Sequence, residues 1–84
     1  MPDAEDYRRA LQTRFHRAAR RGSAYEIVSA RALYVEAGAK ESEHQMPSCC
    51  SIMWQEFRSG YDAVLSSPAT GQSPAATLCY RLPR

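Results

Sequence analysis

His44 stands five and six residues ahead of Cys49 and Cys50, and an imidazole near a thiol is the raw material of a Cys-His nucleophile. A helix N-terminus at this point would favour the thiolate. No orienting third group, oxyanion-type glycine turn or paired carboxylates accompany the pair, so the pattern lacks what a catalytic centre needs. A second reading gathers His44, Cys49, Cys50 and Cys79 around zinc. Adjacent helical residues project about 100° apart, however, and structural zinc sites use spaced pairs such as C-x2-C. The cysteines are therefore expected to serve as small buried hydrophobes. No metal, cofactor or enzymatic activity is expected.

Polar residues of the kind that read nucleic acid are better organised. A helix over 47–58, with Pro47 in its first turn, would bury Met46, Cys50, Met53, Trp54 and Phe57 on one face. Ser48, Ser51, Gln55 and Arg58 then fall on the opposite face, with His44 and Gln45 at its N-terminal approach. Gln55 suits an adenine edge and Arg58 a guanine or a phosphate. Ser48 and Ser51 can bond phosphate near the positive end of the helix.

Ten arginines to one lysine favour the planar, multi-donor cation suited to phosphates and base edges. The net charge of +2 conceals their distribution, because residues 7–22 carry six Arg and no acid. Arg9, Arg17, Arg20 and Arg21 are expected opposite an apolar stripe of Tyr7, Leu11, Phe15, Ala18 and Ala19, positioned to contact phosphate. Arg81 and Arg84 would extend that positive surface. The chain has no Asn, which excludes N-glycosylation and a His-Asn-His nuclease centre and leaves Gln for adenine.

The elements that must position these residues follow from hydrophobic period and punctuation. Residues 6–21 predict an amphipathic helix, led by acids and closed by Arg20 and Arg21 before Gly22. Residues 23–28 predict a short strand, Ser29 an N-cap, and 30–37 a second helix ended by Gly38. A polar loop over 39–45 leads to the 47–58 helix, which Ser59-Gly60 ends. Residues 61–67 and 75–82 predict two strands of a C-terminal β-hairpin around a turn-rich tip at 68–74. In the last strand Leu78, Tyr80 and Leu82 alternate with Thr77, Cys79 and Arg81, the pattern of a half-buried antiparallel strand. The expected class is α+β, a winged helix-turn-helix of three helices with a short strand and a C-terminal hairpin. It forms one domain over 1–84, with 1–5 disordered.

Eighty-four residues, 44% apolar and 24% charged, describe a small globular chain too short for a deep enclosed catalytic pocket. No apolar run is long enough for a membrane span, and Met1-Pro2-Asp3-Ala4-Glu5-Asp6 does not resemble a signal peptide. Three cysteines without a secretory leader point to reduced thiols and a cytoplasmic setting.

The stretch 23–84 also resembles a group of small bacterial and phage winged helix-turn-helix proteins from restriction or mobile-element type loci. The resemblance is carried by Tyr25, Ile27 and Leu33; by His44, Met46, Pro47, Cys49, Cys50 and Met53; and by a closing Tyr80-Arg81-Leu82-Pro83-Arg84. It departs at 68–74, which carries no charge where similar proteins look Lys-rich. Together the residues and the resemblance lead to an expected double-stranded DNA-binding domain, a regulator or accessory subunit of such a system, acting alone or as a homodimer. The alternative expectation is a protein-protein interaction module, an inhibitor or adaptor, on the same fold.

Overall fold

A computed structural model describes residues 2–40, 45–66 and 75–84. The chain folds as α1 (Ala4–Arg20), β1 (Tyr25–Ser29), α2 (Ala30–Glu36), α3 (Met46–Glu56), β2 (Ala63–Ser66) and β3 (Thr77–Arg81). It is an α+β fold of three helices and a three-stranded antiparallel sheet in the order β1-β3-β2. Residues 41–44 of the expected polar loop, His44 among them, the last residue of the expected strand over 61–67 and the expected turn-rich tip at 68–74 lie outside the described residues.

Local chemistry explains the ends of the first two helices. Asp3 caps α1 by accepting from the Asp6 backbone N–H at 3.0 Å, while the Asp6 carboxylate accepts from the Asp3 N–H at 2.9 Å. This reciprocal pair starts the helix two residues earlier than its apolar period suggested, and it draws Ala4 and Glu5 out of the segment expected to be disordered. The helix closes where Gly22 takes φ +78°. The Gly22 and Ser23 amides there donate to the carbonyls of Ala19 and Ala18, a six-to-one closure that favours glycine. Gly38, at φ +90°, closes α2 in the same way. Ser29 ends β1 and caps α2 through a side-chain bond from Ala32 N–H, as the sequence suggested.

The core lies between the helices and one face of the sheet. Tyr7, Leu11, Phe15 and Ala18 form the buried stripe of α1 and meet Val28, Leu33, Tyr34, Leu78 and Tyr80. Phe15 packs edge-on to Tyr80 at 4.9 Å between ring centres, and Tyr7 stacks near Tyr34 at 6.1 Å. The three buried tyrosine hydroxyls find partners. Tyr80 donates to the Met53 carbonyl, Tyr7 to Gln45 Oε1, and Tyr34 to the Lys40 carbonyl while accepting from the Gln45 amide.

Two expectations change. The buried residues of α3 are Cys49, Cys50, Ile52 and Met53, whereas Met46, Trp54 and Phe57 are only half-buried. The helix is rotated so that Cys49 and Ile52 reach the core, and Trp54 and Phe57 pack against each other at its margin, 5.4 Å apart. β2 is shorter than expected and exposed along its whole length, Val64 and Leu65 included. Because β3 occupies the middle of the sheet, β2 is an edge strand rather than a core strand, and a register shift interrupts its pairing between Val64 and Ser66. No helix of the described residues is long and apolar enough to cross a membrane.

Candidate nucleic-acid interface

The outward face of α3 follows directly from its burial. With Cys49, Ile52 and Met53 turned inward, Ser48, Ser51 and Gln55 share the exposed side, and Arg58 lies exposed just beyond the helix. That stripe contains no acid. Gln45 is placed differently from its neighbours. It is half-buried, its side-chain Oε1 accepts from Tyr7 Oη at 3.0 Å, and its backbone N–H donates to Tyr34 Oη, so it serves as a joint between three elements.

Sequence spacing missed Arg8. It flanks the buried stripe of α1 on the side of α3, and its guanidinium donates to Gln55 Oε1 at 3.0 Å. Glu5 and Glu56 hold the same guanidinium from either side. A cation is thereby fixed against the middle of the polar stripe, and one lone pair of the Gln55 carbonyl oxygen is committed to it. A helical-wheel flank position was the available signal, since Arg8 sits one residue past Tyr7 on the stripe.

The other arginines of α1, and Arg21 at its C-cap, do not join this face. Arg14, largely buried, bridges Glu26 of β1 at 3.1 Å and Glu36 of α2 at 3.0 Å. It also donates to the Ile27 carbonyl on the free edge of β1 at 3.5 Å. Arg21 turns to Glu26 at 3.4 Å, so it lies on the β1 flank instead of opposite the stripe. Arg9 pairs with Asp6 at 3.4 Å and borders a groove against Leu82, Pro83 and Arg84. Arg17 borders a cleft of about 540 Å3 between α1 and β1. Arg17 and Arg20 are exposed and form no ion pair among the described residues. Four of the six arginines in the acid-free stretch thus find acids from elsewhere in the fold or from the first turn of the helix.

Arg81 and Arg84, three positions apart, have opposite fates. Arg81 is exposed on the outer face of the sheet, its guanidinium 5.4 Å from the Tyr61 ring centre. The Arg84 side chain is buried and pairs with the buried Asp62 at 2.5 Å. It also donates to the Glu56 carbonyl and lies 5.0 Å from the rings of Phe15 and Tyr80. Asp62 accepts further bonds from the backbone N–H groups of Arg58 and Arg81 at 2.7 and 2.8 Å. Burial pushes the Asp62 carboxyl up. The Arg84 side chain, the two backbone donors and the Arg84 charge together outweigh this and hold it below its usual range. Arg84 is therefore an internal counter-ion and not part of a positive surface.

Burial also acts on the adjacent thiols of α3. Cys49 is pushed up to about 12, by burial first and by its neighbour Cys50 second, and burial raises Cys50 as well. The Cys49 thiol donates to the Ala30 carbonyl at 3.5 Å. A thiol in that environment carries essentially no thiolate at neutral pH.

Comparison with protein-family models, with curated proteins and with solved structures finds no match to the chain.

Proposed function

We propose that this chain is a winged helix-turn-helix domain that binds double-stranded DNA through the exposed face of α3. The observation that carries the reading is the acid-free stripe of Ser48, Ser51 and Gln55, backed by Arg8 and followed by Arg58. An α-helix with polar side chains on its outer face fits the major groove, where glutamine and arginine distinguish base edges. Support also comes from the element order, with the two-helix unit α2-α3 followed by antiparallel strands, and from α3 presenting one face outward while the other packs into the core. Ser48 and Ser51 would bond phosphate, Gln55 would meet a base edge, and Arg58 would contact a phosphate or guanine.

A titration of random-sequence duplex DNA at two salt concentrations tests this. Binding should weaken steeply as salt rises, because each neutralised phosphate releases counterions. Arg58→Ala should lower the slope of log affinity against log salt by about 0.9. Gln55→Ala should weaken a selected site about tenfold, in the range of a single base contact. Absence of binding at about 50 mM salt would overturn the proposal. It would turn the reading to the protein-interaction module, which the internal pairing of Arg8, Arg9, Arg14 and Arg21 favours.

A further inference from the structure

The outer face of the sheet presents a second surface, independent of α3. Tyr80 points inward to α3, so its neighbours Cys79 and Arg81 project to the opposite side. Tyr25 of β1 pairs with Arg81, and Ile27 pairs with Cys79, which pairs in turn with Ala63 of β2. Tyr61 continues the β2 line and lies under the Arg81 guanidinium, its hydroxyl donating to the Pro83 carbonyl at 2.6 Å. A row of Tyr25, Arg81 and Tyr61 therefore crosses the face, with Ile27, Cys79 and Ala63 beside it. Ala24, Tyr25, Tyr61, Ala63, Cys79 and Arg81 line a pocket of about 300 Å3 there.

Three features define what fits. Arg81 is the charge of the pocket and pairs with no described acid, because Asp62 beside it is turned inward to Arg84. A guanidinium held over a tyrosine ring still has N–H donors to offer an anion. It leans toward Tyr61, which leaves the Tyr25 side open, and Tyr25 is 52% exposed. A second copy packed with its twofold axis at Arg81 would bring Arg81 against Arg81, an arrangement that charge opposes. The occupant must supply a negative group and a flat apolar one.

We infer that this face binds single-stranded nucleic acid, with a base stacked on Tyr25 and its phosphate held by Arg81. Aromatic rings beside a cation on an open sheet accept any base, since every base has a π-face and every linkage a phosphate. The pocket volume suits one nucleotide unit, and no described element covers this face of the sheet, so the strand can continue past Ile27.

Fluorescence anisotropy with a labelled twelve-residue oligothymidylate and the full chain tests the inference. Tyr25→Ala should weaken binding about tenfold, while Tyr25→Phe, which keeps the ring, should retain it. Arg81→Ala should also weaken binding and lower the salt slope by about 0.7, the single-strand value for one phosphate. Arg81→Lys should keep the salt slope and lose part of the affinity, since an ammonium lacks the planar, multi-donor fork of the guanidinium. Circular dichroism of each variant establishes that the fold persists. No binding of the oligonucleotide at about 50 mM salt overturns the inference, as does equal affinity for the parent, Tyr25→Ala and Arg81→Ala. Binding of an acidic aliphatic peptide that depends on Arg81 but not on the Tyr25 ring overturns it in favour of a protein partner.

Discussion

Asp62 shows how much one residue can bind together. Its carboxylate takes bonds from Arg58, Arg81 and Arg84, joining the end of α3, the last strand and the closing residues of the chain. Removing one partner of such a buried pair typically costs about 3–5 kcal/mol, because the other charge is left without compensation. Asp62→Ala should destabilise the fold by about that amount in urea titration. The pH dependence has a definite sign. Asp62 is held below the unfolded value of about 3.9, so its contribution is complete above that value and disappears as pH falls through the folded one. The melting temperature of the parent should drop on acidification below about pH 4, and Asp62→Asn should start lower and respond less. An unchanged pH profile in Asp62→Asn would remove this carboxylate from the account. Neither residue was legible as a pair. Twenty-two positions separate them, and Arg84 reads in sequence as one more surface cation.

At the scale of elements, punctuation was readable and rotation was not. Ser29, Gly22 and Gly38 mark the ends of their elements because caps and left-handed turns are local chemistry. The Asp3–Asp6 box should be worth about 1 kcal/mol, so Asp3→Ala should lower the urea midpoint without altering the denaturant slope. A change in slope would show that more than the cap was lost. The inward face of α3 was only partly predictable. Apolar residues occur nearly all round it, and the choice among Cys49, Ile52, Trp54 and Phe57 depends on where α1, α2 and β3 lie. The exposure of β2 has the same origin. Val64 and Leu65 are β-formers in sequence, but strand order decides whether a strand has a covered face.

For the whole molecule, the +6 stretch is distributed instead of concentrated. Arg8, Arg14 and Arg21 draw in Glu56, Glu26 and Glu36 from other elements, and only Arg17 and Arg20 stay exposed and free of ion pairs among the described residues. Most of these pairs are at least partly exposed and contribute little each, whereas Arg14 and Glu26 are well covered. Raising salt from about 50 mM to 1 M should therefore change unfolding free energy by no more than about 1–2 kcal/mol. A larger loss in chemical denaturation would mean that the exposed pairs act as a network. The charge segregation seen along the chain thus holds α1 to β1, α2 and α3 before it serves any partner.

The sequence by itself determined the class of fold, three helices with β-strands, together with most helix boundaries and the inward alternation of Leu78, Tyr80 and Leu82. Those features rest on period and capping, which act within a few residues. Ser48, Ser51 and Gln55 could likewise be placed on one outward face from helical spacing alone. Only the tertiary structure decided which arginines are occupied, which cysteine face is buried, that Arg8 joins Gln55, and that Arg84 turns inward while Arg81 turns out. The reason is physical: the partner of a charge and the cover over an apolar side chain come from distant segments, and no local pattern records which segment will arrive.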